Sequence, residues 1–185
     1  MGNLFGSKKP EPPQPTVKEL VKEFTKSIRK MRNEFTRTMN QLKMNNTKIS
    51  NEIKRMLQRN EPRQNIRIVA KGLARNNAQM GKYQKLDAQL ADVQFQLQNI
   101  ATTDTMINVM TQMTKILKMN ETNMDMKNIT KTMGEFMMQM EKQEIMSEQI
   151  QDIMDEDGVD IESDEETDKI INEIEAQQNG SNGGG

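Results

Sequence analysis

Lys8, Lys9, Lys18, Lys22, Lys26, Arg29, Lys30 and Arg37 crowd the start of this chain, and Leu4 and Phe5 stand just ahead of them. None of these side chains suggests bond-making chemistry. What they offer is adsorption. Positive charge draws anions, and two large apolar side chains at an unprotected tip can enter a greasy phase. Anionic lipid attracts each nearby Lys or Arg by about 1 kcal/mol. Burying a Leu or Phe adds roughly 1.5–3 kcal/mol. Neither signal anchors firmly alone, but together they form the pair on which peripheral membrane association depends. The tip therefore reads as a wedge, Leu4 and Phe5, held to headgroups by the cations behind it.

Other chemistry has little to work with. His and Cys are absent, which removes the commonest bases, nucleophiles and transition-metal ligands and any disulfide framework. No G-x-x-x-x-G-K-[ST] phosphate loop occurs. Carboxylates are dense over 152–168, but DEDGVDIESDEE departs from the D-x-[DN]-x-[DN]-G order of a calcium loop. Such a charge run is ordinarily a solvated face. No enzymatic activity, metal or cofactor is expected. Gly2 raises N-myristoylation, yet the motif needs a hydroxyl at position 6, where Gly6 stands and Ser7 follows one place late. Nucleic acid is the rival partner for the cations. Only Phe24, Phe35 and Tyr83 lie in the basic stretches, too few for stacking on bases, and no nucleic-acid partner is expected.

Helices must position these groups. The 185 residues are 34% hydrophobic, 3% aromatic and 29% charged, with 18 Met and no Trp. That is a thin supply for a thick core and suits long helices with one apolar stripe. Met, flexible and polarizable, lets such a stripe pack on more than one partner. The charge is split. Residues 1–90 hold 20 Lys and Arg against 7 Asp and Glu, a net +13, whereas residues 91–185 hold 6 against 20, a net −14. Such asymmetry implies a basic surface for an anionic partner and an acidic segment able to cover it.

The expected fold is all-α. Residues 1–15 end in PEPPQP and form an arm without internal helix. From Val17 the apolar residues Val21, Phe24, Ile28, Met31, Phe35, Met39, Leu42, Ile49, Ile53 and Met56 recur on one helical arc. Forty residues make a rod of roughly 60 Å. QRNEPRQN, 58–65, predicts a turn, because Pro62 disfavours helix at Glu61. A second periodic run spans Ile66 to Leu117. Two long helices joined by a short turn fold antiparallel, so 16–118 reads as a basic hairpin. Residues 119–155 read as shorter Met-rich helices and 156–166 as an acidic linker. A last amphipathic helix over 167–177 carries Ile170, Ile171 and Ile174, and NGSNGGG reads as a flexible end. No apolar run approaches the ~20 residues that span a bilayer, and no signal-peptide core is present. The chain therefore reads as cytosolic.

NLFGSKK at the start, the long basic hairpin, IVAKGLAR at 68–75, MGEFMMQMEKQEIMSEQIQDIMD and DEETDKIINEIEA together resemble the ESCRT-III subunits, or charged multivesicular body proteins. The resemblance spans nearly the whole chain. The order of IMDED, an acidic run and IINEIEA is most similar to the type-2 (Vps-two) branch, with the type-3 branch close to it. The resemblance implies a cytosolic monomer whose acidic C-terminal helices fold back on the basic hairpin. On opening, such a subunit co-assembles with other ESCRT-III subunits into filaments on anionic membrane surfaces, at the cytosolic face of endosomes. It further implies roles in multivesicular body formation, cargo sorting and membrane scission, with remodelling by an AAA ATPase of the Vps-four type. Carried onto this chain, Leu4 and Phe5 insert, the stripe from Lys18 to Arg37 meets lipid or a neighbouring subunit, and 167–177 is the autoinhibitory helix. Family members usually end in a Leu- and Arg-rich helix that recruits the ATPase. IINEIEAQQ has neither residue, which implies that the ATPase is reached indirectly through a partner subunit, unless the sequence is a truncated one. The alternative reading is a coiled-coil adaptor or tether without membrane-remodelling activity.

Overall fold

A computed structural model of the chain describes residues 6, 16–99, 103–119, 121, 125–142 and 162–182. The first helix, α1, runs Val17–Gln58. Its start is set by a capping box. The Thr16 hydroxyl accepts from the Glu19 amide at 3.2 Å, and the Glu19 carboxylate accepts from the Thr16 amide at 3.2 Å. Two amide groups that the first turn would leave without partners are thereby satisfied. The apolar arc read from the sequence is the face that packs, with Phe24, Ile28, Met31, Phe35, Ile53 and Met56 buried.

The helix stops through backbone geometry at Asn60, which takes a left-handed φ of 55°. The Asn60 amide then donates to the Leu57 carbonyl and the Glu61 amide to the Met56 carbonyl, each at 3.1 Å. This reverse-wound closure satisfies carbonyls at the end of the helix, and Asn tolerates the left-handed region better than most residues. Pro62, with φ −56°, then opens α2, Arg63–Gln98. The two helices are antiparallel. Arg32 bonds Asp87 at 2.7 Å, while Asn46, further along α1, bonds Asn77, earlier in α2, at 2.9 Å. The Phe35 and Tyr83 rings meet between them with centroids 5.6 Å apart.

The second arm is shorter than the periodicity predicted. It ends at Gln98, and the stretch expected to prolong it to 118 forms a separate α3, Thr103–Met119. Asn99 closes α2, its side-chain amide donating to the Phe95 carbonyl at 2.9 Å. Thr103 and Asp104, a pair favoured at helix starts, open the next helix. The apolar spacing continues in phase across the break and so conceals it. α3 lies against α1, and α4, Met126–Lys142, lies against α3. The last helix, α5, runs Asp164–Asn182 and rests on α1 and α2. It exceeds the expected 167–177 at both ends. Asp164, Glu165 and Glu166, read as linker, form its first turn, where carboxylates suit the positive end of the helix dipole. Asn179 to Asn182, read as a flexible end, are helical. Leu4, Phe5, Lys8 and Lys9, together with 143–161, lie outside the described residues.

Two cores result. The larger joins Phe24, Ile28, Met31 and Phe35 of α1 to Leu86, Leu90, Val93 and Leu97 of α2, with Met113 of α3 and Phe136 of α4. The smaller lies at the hairpin turn and joins Ile53, Met56, Ile66, Ala70 and Leu73 to Ile171 and Ile174 of α5. Between them, where the apolar stripe of α1 skips a turn from Leu42 to Ile49, the polar Asn46 reaches Asn77. Among the described residues no helix is long and apolar enough to cross a membrane.

Candidate functional site

The turn end of the hairpin is built as a seat. Ile171 is fully buried and Ile174 is 5% exposed, both against the smaller core, and Ile170 packs half-buried beside them. Around this apolar centre the helices pair charge with charge. Arg67 holds Asp168 through two bonds of 2.9 Å, one to each carboxylate oxygen, and Arg63 reaches the same carboxylate at 3.3 Å. Arg63 also donates to Asn172 at 2.6 Å, and Arg75 pairs with Glu162 at 2.9 Å. The Gln178 side chain donates to the Lys54 carbonyl at 3.3 Å. Partly exposed pairs of this kind contribute about 0–1 kcal/mol each, against roughly 1.5–3 kcal/mol for a buried Ile. The isoleucines therefore hold α5 in place, and the forked Arg67–Asp168 bond fixes its register.

Asp168 makes the seat sensitive to acid. Hydrogen bonds from Arg67, then from Arg63, hold its carboxyl below the ordinary 3.8. In the released helix the carboxyl returns to that ordinary value. The pairing thus contributes fully above it and is lost as pH falls through the lower, docked value. Docking is expected to be constant from neutral pH to about pH 4 and to weaken in stronger acid. A spin-label distance between Lys54→Cys and Gln178→Cys across that range checks this, and Asp168→Asn is expected to flatten the acid limb.

The other end of the hairpin is open. Lys18, Lys22, Lys26, Arg29, Lys30 and Arg37 are all exposed on α1. Lys30 pairs with Glu121 at 2.5 Å and keeps that carboxyl below its ordinary range, and Arg37 pairs with Glu34 at 3.5 Å. Glu23, between Lys22 and Lys26, pairs with Lys118 of α3. Lys18, Lys22, Lys26 and Arg29 have no ion pair among the described residues. The sequence suggested that the acidic half covers the basic hairpin. Among the described acids, Asp164, Asp168 and Glu175 of α5 pair with Arg63 and Arg67 at the turn, and Glu162, just ahead of α5, pairs with Arg75. From Lys26 to Ile53 the helix rises about 40 Å, so α5 and the stripe occupy opposite ends. Sequence reasoning missed the three arginines, although their spacing held a signal. Positions 63, 67 and 75 share a helix face with Lys71, a cationic row beside the apolar stripe of the same helix. Among the described residues no group of three or more Asp or Glu side chains could hold a metal ion.

The molecule is a long antiparallel hairpin with its smaller helices folded onto it. The family model for Snf7 matches residues 23–183. The chain belongs to the Snf7 family. This is the ESCRT-III family that the sequence resembles, and the match runs from α1 through α5. Snf7 members are structural proteins that assemble with one another and are recruited to membranes. Comparison with curated proteins and with solved structures gives no match.

Proposed function

We propose that this Snf7-family chain is a type-2 (Vps-two) ESCRT-III subunit that co-assembles with related subunits on the cytosolic face of endosomal membranes. There it contributes to multivesicular body formation, cargo sorting and membrane scission. The observation that carries this reading is the division of labour along one hairpin. One end presents Lys18, Lys22, Lys26 and Arg29 without ion pairs among the described residues, and the other seats the acidic helix α5. The stripe adsorbs to anionic headgroups, Leu4 and Phe5 insert, and α5 is the autoinhibitory element. Its release bares Arg63, Arg67 and Arg75 together with the smaller core. A Vps-four-type ATPase acts through a partner subunit.

Electron microscopy of anionic vesicles tests the reading. The full chain is expected to bind sparsely, and the chain ending at residue 161 to form filaments. Bare vesicles with both would favour a plain coiled-coil adaptor. Replacing Leu4 and Phe5 together by Ser is expected to lower vesicle affinity by at least about 100-fold, since two buried side chains of roughly 1.5–3 kcal/mol each are lost. Vesicle co-sedimentation reads this directly.

A further inference from the structure

α2 carries apolar or small residues on two faces. Leu86, Leu90, Val93 and Leu97 look into the core. On the other side Gly81, Ala88 and Phe95 follow at seven-residue intervals, a spacing that keeps side chains in line along a helix. Phe95 is 61% exposed, a large apolar side chain turned mostly to water. A Cβ added at Gly81 would meet open space, so no described residue requires a glycine there. Gly inside a helix costs about 1 kcal/mol relative to Ala. A mostly exposed ring and an unfilled glycine thus lie on one face, at equal distances from Ala88.

We propose that this face of α2 binds the same face of a second copy of the chain, antiparallel, about a two-fold axis at Ala88. The axis sets Phe95 of each copy over Gly81 of the other, ring into socket. Ala88 meets Ala88, and its small side chain lets the backbones approach. The axis also brings Lys85 of each copy toward Asp92 of the other, because these positions straddle it almost evenly; both residues have contacts within their own chain as well. An unrelated helix would need a bulky residue, a small residue and reversed charges at this same spacing. A second copy supplies all of them, as an isologous contact requires. Three layers are far fewer than the roughly 20–30 residues a side of a standard interface. The pair is therefore weak in dilute solution and forms where copies are concentrated. The contact needs no lipid, so it stands or falls apart from the membrane reading.

The chain contains no cysteine, so single cysteines report contacts cleanly. Ala88→Cys sits on the axis and is expected to form disulfide-linked dimers under mild oxidation about tenfold faster than Gln79→Cys, exposed on the opposite side of α2. Adding Gly81→Leu fills the socket and is expected to return Ala88→Cys to the control rate, with helicity retained by circular dichroism. Adding Phe95→Ala is expected to do the same. Equal rates for the two cysteines, or a rate indifferent to Gly81→Leu, would overturn the proposal. Binding of Phe95→Ala to anionic vesicles at low protein concentration is expected to match the parent, which separates failure of this contact from failure of the membrane reading.

Discussion

Replacing Ile171 and Ile174 together by Asp is expected to release α5 and raise affinity for anionic vesicles roughly 100-fold. Both side chains are buried in the smaller core, at 0% and 5% exposure. Two carboxylates placed there have no partners, and a charge without a partner is costly to bury. The surrounding ion pairs, at about 0–1 kcal/mol each, are too weak to keep the helix seated. The larger core contains no α5 residue, so α1 to α4 are expected to remain packed. Release bares Arg63, Arg67 and Arg75, and three cations at about 1 kcal/mol each correspond to the stated gain. Loss of amide protection confined to α5 would report the release, and vesicle co-sedimentation the affinity. Adding Arg63→Glu, Arg67→Glu and Arg75→Glu is expected to remove the gain while leaving basal binding in place. Unaltered vesicle affinity in the Asp variant, with α5 demonstrably released, would rule out α5 as the restraint.

Reversing Lys18, Lys22, Lys26 and Arg29 to Glu is expected to abolish binding to anionic vesicles. Removing four attractions of about 1 kcal/mol each corresponds to roughly a 1000-fold loss, and reversal adds repulsion. Stability is expected to change little, because these residues are exposed and have no ion pair among the described residues. Parent binding should weaken steeply between low and physiological salt, since the screening length falls to about 8 Å at 0.15 M. Full affinity in the reversed variant would move the membrane contact to another face. The same substitutions are expected to leave the α5 seat intact, because the two ends of α1 share no ion pair.

Helix periodicity was legible in the sequence because it is a local property. Phe24, Ile28, Met31, Phe35, Ile53 and Met56 fall on one arc whatever they pack against, and all six are buried in the structure. Pro62 announced the turn because a proline restricts the residue before it wherever it stands. Ile170, Ile171 and Ile174 were visible as an amphipathic set for the same reason, and the charge halves are a matter of counting. The end of α2 was not visible. Asn99 stops the helix through its own side chain and backbone, while the apolar rhythm runs on in phase from Leu97 to Ile107. Periodicity reports which face is apolar and says nothing of whether the rod continues.

Pairing between distant segments lay further out of reach. Composition showed that an acidic half and a basic half exist in one chain. It did not say which cations of the basic half the acids would meet. Shape decided between them. The two isoleucines of α5 need an apolar seat, and the seat at the turn, formed by Ile53, Met56, Ile66, Ala70 and Leu73, is bordered by Arg63 and Arg67. Burial is worth more than surface charge pairing, so the apolar seat selected the partner and the ion pairs followed. The sequence by itself determined which residues are greasy, which are charged and how they repeat along each helix. Only the tertiary structure decided which end of the hairpin α5 occupies, because that choice depends on contacts more than 100 residues apart, Arg63 to Asp168 among them, which no local pattern encodes.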